Sequence, residues 1–337
     1  MIIARTPLRI SFIGGGSDLQ AFYQHQPGAV VSTTIDKYIY VTVNKKFDGK
    51  IRASYSITEM VDSVEELKHE LIREALRLVR IDGGLEITSI SDIPSRGTGL
   101  GSSSTYLVGL LNALHAYQGR YAGAERLARE SCHIEIERCA APIGKQDQYI
   151  AAYGGLQYIQ FNPDDSVFVD PITCSPRTKR VLQERLLLLY TGMTRSAGAI
   201  LREQQENTHR DDDRRRTLQH MTQLAADLKD LLVPNDGDGD DRRLDGFGDI
   251  LHQGWTMKRG LASGISEGRI DAWYVRAREH GAIGGKLLGA GGGGFLLLYA
   301  RPERHADILR ALPELRHIPF RFEPQGSKIV YVEEREY

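Results

Sequence analysis

Between Pro94 and Ser104 the chain reads Pro-Ser-Arg-Gly-Thr-Gly-Leu-Gly-Ser-Ser-Ser, and then enters a segment whose apolar residues recur with helical spacing. Gly97, Gly99 and Gly101 permit positive φ and let the backbone come close to a ligand. Ser102, Ser103 and Ser104 are expected to cap the helix that follows, so that free N–H groups and the positive end of its dipole converge on one anion. A chain built this way has to present a loop and a helix start to a bound group. The expected group is the phosphate chain of a nucleotide, and the expected chemistry is phosphoryl transfer.

The loop is not the common Gly-Lys-Ser/Thr phosphate loop, since Gly285-Lys286 is followed by Leu287. Two further segments add to it. Pro7 to Ile13 reads as a strand that runs into Gly14-Gly15-Gly16-Ser17-Asp18. Such an end suits close approach of a polar ligand to backbone, with the carboxylate free to accept hydroxyl hydrogen bonds. Lys286 to Gly294 is the third, followed by the apolar run Phe295 to Tyr299. Gly289, Gly291 and Gly294 spell the dinucleotide fingerprint, but that motif follows a strand and opens a helix, whereas this one precedes a strand. A nicotinamide-binding reading therefore fails.

With these three motifs in this order, the chain resembles the GHMP kinases, the superfamily of galactokinase, homoserine kinase, mevalonate kinase and phosphomevalonate kinase. It looks most like the bacterial heptose-phosphate kinases, which share Pro-Leu-Arg-Ile-Ser, Gly-Gly-Gly-Ser-Asp and the string from His133 to Glu137 and from Pro142 to Tyr149. The stretch Arg138-Cys139-Ala140-Ala141 departs from that branch. The resemblance implies a two-lobed α+β fold. Residues 1–180 would form an N-terminal lobe like ribosomal S5 domain 2, residues 181–337 a ferredoxin-like C-terminal lobe, and the active site would lie between them.

It also implies ATP and Mg²⁺, a magnesium-requiring transfer to a sugar hydroxyl, and a set of site residues. Pro94, Gly97, Gly99, Leu100, Gly101, Ser102, Ser103 and Ser104 would hold the nucleotide. Ser103 would hold the metal together with Glu135, which lies seven residues before Pro142; Glu137 is the alternative. Asp147 matches the catalytic aspartate that accepts the acceptor's proton, and Arg9 the cation that keeps it ionised. Galactokinase-like members carry Gly-Glu-His-Thr-Asp where this chain has Gly14 to Asp18. Gly15, Gly16, Ser17 and Asp18 would therefore bind a longer sugar, with exposed N–H groups cradling an anionic tail. Lys145, Arg195 and Lys286 are the cations expected on that tail, and Thr194, Gly291 and Gly292 complete the substrate set. The implied reaction phosphorylates the anomeric hydroxyl of D-glycero-D-manno-heptose 7-phosphate, for nucleotide-activated heptose and surface polysaccharide. A kinase of an unphosphorylated sugar such as fucose or another hexose is the alternative. A non-catalytic sugar and nucleotide sensor and a phosphorylating decarboxylase are two more; Asp147, Glu135 and Arg9 argue against the sensor, because a pure binder needs no base.

Composition narrows the class. At 337 residues with 41% hydrophobic content, the chain can build a full core. Lys plus Arg number 43 against 44 for Asp plus Glu, so no global basic field points to nucleic acid. No apolar run reaches the length of a membrane span, and the first residues enter a strand directly; a cytoplasmic monomer or homodimer is expected. Three cysteines make no disulfide framework, and Cys132, His133, Glu137 and Cys139 have no zinc spacing. Asp236 to Asp241 lacks the glycine and glutamate of a calcium loop and reads as a solvated connection.

Periodicity predicts strands at Ile3 to Ile13, Tyr38 to Val43, Leu85 to Ile90, Leu156 to Phe161, Leu186 to Tyr190, Phe295 to Tyr299, Pro319 to Phe322 and Lys328 to Val332. It predicts helices at Val64 to Val79, Ser104 to Tyr117, Ala124 to Arg138, Ala197 to Leu232, Leu244 to Ala262, Ile270 to His280 and Ala306 to Leu312. Asp211 to Arg216 is read as a charged, solvated stretch of one long helix.

Overall fold

A computed structural model describes residues 1–94, 97–194, 197–233 and 242–333. In chain order the elements are β1 (Ile2–Ile13), α1 (Gln20–Tyr23), β2 (Gly28–Lys45), β3 (Ile51–Ser54), β4 (Thr58–Val61), α2 (Glu70–Val79), β5 (Leu85–Ser91), α3 (Ser102–Tyr117), α4 (Ala124–Cys132), α5 (Gln146–Tyr153), β6 (Leu156–Phe161) and β7 (Val167–Pro171). They continue with α6 (Pro176–Arg185), β8 (Leu186–Tyr190), α7 (Ala197–Arg210), α8 (Asp212–Leu232), α9 (Asp245–Arg259), α10 (Gly268–Glu279), β9 (Ala282–Leu287), β10 (Phe295–Ala300), α11 (His305–Ala311), β11 (Arg316–His317) and β12 (Lys328–Val332). This is an α+β architecture of two mostly antiparallel sheets.

The first sheet runs β12-β1-β2-β5-β3-β4, with β6 on β2 and β7 on β6. The long strand β2 serves two partners on one side: Gly28–Thr33 pairs with β6 and Ile39–Lys45 with β5. Helix α3 crosses this sheet, and every residue from Ser104 to His115 is buried. An all-round apolar helix belongs inside a core, and its first turn is therefore held by packing along its whole length.

The second sheet runs β11-β8-β10-β9. Leu187, Leu189, Leu296 and Leu298 join a core with Trp255 and Trp273, while Leu186, Leu188, Phe295, Leu297 and Tyr299 join the core of the first sheet. Both faces are thus covered, which is why β8 and β10 read as unbroken apolar runs rather than alternating ones. The C-terminal strand β12 returns to the first sheet beside β1.

Three differences from the sequence reading have local causes. Asp211 is a helix cap, its carboxylate accepting the Asp213 N–H at 2.8 Å, so the expected long helix is two, α7 and α8. Around Phe322 only a single bridge to Ile35 forms. There the Asp36 side chain, not backbone, takes the Arg321 N–H at 2.8 Å. Strand β9 escapes the sequence because Gly284 and Gly285 erase its pattern. Gly284 is needed: a Cβ there would sit 1.8 Å from the Gly248 carbonyl, so helix α9 lies directly on β9. Farther along α9, a Cβ at Gly254 would fall 2.1 Å from Ile13 Cδ1. These two contacts wedge α9 between the second sheet and β1. The expected connection at 236–241 lies outside the described residues.

Candidate active site

The loop before α3 takes the conformation its glycines permit, with φ of 67°, 76° and 75° at Gly97, Gly99 and Gly101. Gly101 itself occupies the cap position of α3 without a side-chain cap bond, a correction to the expected serine caps. The first backbone bond of the helix runs from Thr105 N–H to Gly101 C=O, which leaves the N–H groups of Ser102, Ser103 and Ser104 without a helical partner. The serine hydroxyls turn elsewhere. Ser103 Oγ donates to Glu135 Oε1 at 2.9 Å and Ser104 Oγ to Glu135 Oε2 at 2.6 Å; Ser102 Oγ lies 3.3 Å from Thr98 Oγ1. Leu100 is fully buried, so it offers the loop only backbone; its carbonyl accepts the Arg9 N–H at 3.1 Å.

Glu135 sits in a π-helical segment, His133–Arg138, that continues α4. The wider turn rotates Glu135 inward, where it is 2% exposed. Burial pushes its carboxyl up to about 6 against the pull of the two serines and Gln148 Nε2, which donates at 2.5 Å. Glu137 is exposed and bonds His133 at 2.7 Å, so of the two glutamates it is Glu135 that reaches the loop. A buried carboxylate and two hydroxyls beside a helix N-terminus form a hard oxygen set that fits a magnesium ion.

Arg9 and Asp147 meet across 138 positions as a two-pronged pair, Nε to Oδ1 and Nη2 to Oδ2 at 2.8 Å each. The third arm of Arg9 donates to the Gly99 carbonyl at 2.5 Å, which ties the pair to the phosphate loop. Helix α5 begins at Gln146, whose backbone N–H donates to Asp18, while the side chains of the next two residues point apart, Asp147 to Arg9 and Gln148 to Glu135. Successive residues about 100° apart on a helix make that divergence possible. Gly144 permits the approach, because a Cβ there would sit 2.0 Å from Asp18 Oδ2.

The glycines of the second sheet's loop lock onto the phosphate loop. A Cβ at Gly289 would lie 2.5 Å from Gly99 Cα, and one at Gly294 2.3 Å from the Thr98 carbonyl. Beside this contact opens a cavity of about 70 Å³, with Arg9, Asp18, Asp147, Lys258 and Lys286 among its walls. Ser11, Gly15, Gly16, Gln146 and Gln204 line it too. Ser11 Oγ, Gln146 Oε1 and Gln204 Nε2 are buried there without a hydrogen-bond partner among the described residues. Buried polar atoms are nearly always paired, so these three mark where a polar ligand completes the site. Asp18 accepts the Gly16 N–H at 2.8 Å and the Gln146 N–H at 3.3 Å, and burial raises its carboxyl above the usual range. A second recess of about 640 Å³ opens at Ser102 and Ser103, walled by Ile39, Leu71, Ile93, Pro94 and Tyr106 among others. Its apolar and aromatic lining suits a flat base next to a phosphate loop.

Several expected substrate residues lie elsewhere. Ser17 is buried and its hydroxyl is used by Gly14 and Ala29, so it holds the turn rather than a ligand. The Gly16 N–H is taken by Asp18, which leaves it unable to cradle an anionic tail. Lys145 pairs with Asp165 at 2.5 Å over the Tyr23 ring and lines a separate cleft. Thr194 packs against Gly97. Gly291 and Gly292 pack on Ile265, whose carbonyl accepts the Gly292 N–H at 3.0 Å. Arg195 lies outside the described residues. Ser11, Gln146, Gln148, Gln204 and Lys258 were missed. Gln146 and Gln148 flank Asp147 and a helix count would have found them; Ser11, Gln204 and Lys258 carry no local signal.

Residues 64–155 match the family model described as GHMP kinases N terminal domain, and residues 228–315 the one described as GHMP kinases C terminal. A D-glycero-alpha-D-manno-heptose 7-phosphate kinase of Campylobacter jejuni is 28% identical over 92% of this chain and 93% of its own. The crystal structure of a D-glycero-D-manno-heptose 1-phosphate kinase from Bacteriodes thetaiotaomicron superposes with a TM-score of 0.81 at 26% identity, covering 99% of this chain and 100% of that one. A bifunctional fucokinase/GDP-fucose pyrophosphorylase of Arabidopsis thaliana is 26% identical over 90% of this chain, which spans 30% of that larger protein. Among the described residues no helix is long and apolar enough to cross a membrane.

Proposed function

This chain belongs to the GHMP kinases and is an ATP-dependent sugar kinase; on that premise we propose that its acceptor is a heptose 7-phosphate, D-glycero-D-manno-heptose 7-phosphate, phosphorylated at the anomeric hydroxyl. One observation carries the reading: unpaired buried atoms of Ser11, Gln146 and Gln204 share a cavity with Asp18, the Arg9–Asp147 pair and buried lysines. Hydroxyl-pairing atoms on one wall and cations on another describe a polyol that carries an anion. The Campylobacter relative, by its name, acts on such a compound.

In this reading the acceptor oxygen attacks the γ-phosphorus while the bond from that phosphorus to the β–γ bridging oxygen breaks, and ADP leaves. Asp147 takes the hydroxyl proton, and Arg9 holds its two oxygens in position. The open N–H groups of Ser102, Ser103 and Ser104 bind nucleotide phosphates at the positive end of α3. Ser103 and Glu135 would hold a magnesium ion, which when bound supplies positive charge to the phosphates being separated. Asp18 and its neighbours orient the sugar. The compartment is the cytoplasm, where ATP is at hand, and the residues before and after about position 180 supply the two walls of the site.

The test is ADP release with ATP and magnesium against heptose 7-phosphate, unphosphorylated heptose, fucose and galactose. Selective turnover of the heptose phosphate, lowered about a thousandfold in Asp147→Asn with folding intact, is expected for loss of a general base. Preference for a sugar without phosphate would instead favour the fucokinase-like reading that the Arabidopsis relative supports.

A further inference from the structure

The acceptor cavity holds more positive charge than its own carboxylates neutralise. Lys258, in the last turn of α9, and Lys286, on β9, are 6% and 4% exposed. They are brought together by the glycine contact that lays α9 on β9. Burying an ammonium is costly unless an anion or several acceptors meet it. Here Lys258 Nζ donates to the Gly289 carbonyl, and Lys286 Nζ has no hydrogen bond or ion pair among the described residues.

Neither nearby carboxylate forms an ion pair with them among the described residues. Both oxygens of Asp147 are taken by Arg9, and those of Asp18 accept the N–H groups of Gly16 and Gln146. Three cations, Arg9, Lys258 and Lys286, therefore face two carboxylates, Asp18 and Asp147, inside one cavity. Burial, then repulsion by Arg9, pushes the Lys258 amine down to about 8, against the attraction of Asp18 and Asp147. Burial, then Lys258 and Arg9, lowers that of Lys286 as well. Two amines held at this electrostatic cost, one of them unpaired, define a place for an anion that the protein itself does not supply.

Both lysines wall the cavity shared with Asp18, Ser11 and Gln204, and neither lines the recess at Ser102 and Ser103. We infer that Lys258 and Lys286 form the subsite for the phosphate monoester of the acceptor, and that Lys258 is a specificity-determining residue for phosphorylated over unphosphorylated sugar. The inference rests on the proposed sugar-phosphate reading. It also relocates the anionic end of the substrate from the Gly14–Ser17 turn to the α9–β9 wall.

Steady-state kinetics on Lys258→Met, Lys286→Met and Lys258→Arg test it, with heptose 7-phosphate and the same heptose without phosphate as acceptors. Losing one charge-assisted contact should raise the KM for heptose 7-phosphate about 30-fold in either methionine variant. The KM for ATP should stay near wild type, and the preference for the phosphorylated sugar should collapse. Lys258→Arg should recover most of the loss. A drop in kcat shared equally by both sugars, or a raised KM for ATP, would assign the lysines to the transferring phosphate and overturn the inference.

A binding readout separates this from the function itself. With ADP filling the nucleotide loop, inorganic phosphate should raise the Tm of wild type and not that of Lys258→Met. If wild type shows that shift but does not turn over heptose 7-phosphate, the acceptor assignment falls and the anion subsite stands. No phosphate shift together with unchanged kinetics in the variants removes the subsite.

Discussion

The phosphate loop and the acceptor cavity share a wall at Gly99 and Gly289, yet they are built on opposite rules. On the loop side the functional side chains are paired before any ligand arrives: Ser103 and Ser104 with Glu135, and Arg9 with Asp147 and Gly99. On the acceptor side Ser11, Gln146 and Gln204 have buried polar atoms with no partner among the described residues, and Lys286 forms no ion pair there. Pre-pairing fixes geometry for a group that must be held the same way in every turnover. Leaving donors and acceptors open costs stability and places the gain in the complex, so that only a matching acceptor satisfies them. The difference teaches where this protein keeps its reaction and where it keeps its choice.

The contrast breaks most completely at the shared wall. Gly289 has φ of 73° and no room for a Cβ against Gly99, so Gly289→Ala should destabilise the fold by about 2–3 kcal/mol and lower activity toward every acceptor alike. Thermal melting and kcat/KM with two sugars would show it; a loss confined to one sugar would contradict the shared-wall account. A smaller effect is expected inside the cavity. Gln204→Ala should leave Tm unchanged or slightly higher, since its amide nitrogen has no partner among the described residues, and raise the acceptor KM about tenfold. If Tm instead fell by several degrees, the amide would be structural and the acceptor side would resemble the loop side.

The smallest effect is in pH. The Lys258 amine is lowered from 10.5 to about 8. Below pH 8 both folded and unfolded chains carry its proton, and the burial cost is present in full. Between pH 8 and 10.5 the unfolded chain binds the proton more readily, so stability from this group rises with pH and levels off above 10.5. Lys258→Met should therefore melt above wild type at neutral pH, with the gap closing across that window. Over the same range the wild-type KM for the sugar phosphate should climb as the amine discharges. A gap that does not change with pH would mean that folding leaves the proton affinity of the Lys258 amine unaltered.

The reaction side was largely legible and the choice side was not. Asp147, Arg9, Glu135 and the loop serines lie in motifs where glycine spacing, a strand end or a helix start marks the chain locally. The structure brings them together, and it separates Glu135 from Glu137 by a π-helical turn that periodicity cannot show. Lys145, Ser17, Gly291 and Gly292 lie in the same kinds of motif, but their polar groups are consumed by Asp165, Ala29 and Ile265. A motif records that the backbone comes close to something, not whether that something is a ligand or the protein. Lys258 near the end of α9 reads as an ordinary dipole partner and Gln204 in α7 as a surface residue. The burial of Lys258 follows from α9 being wedged between β1 and β9, and that of Gln204 from α7 packing on the Gly16 turn, where a Cβ would lie 2.2 Å from its Nε2.

By itself the sequence determined what is local: where backbone takes positive φ, where helix α3 starts, which runs are apolar enough to be covered on both faces, and which carboxylates and cations are within reach of a phosphate loop. Only the tertiary structure decided which of those charges are neutralised by the protein and which are left for a ligand. Pairing depends on distances between residues far apart in the chain, and in a low-dielectric cavity those distances determine whether a buried charge is a structural partner or a binding site.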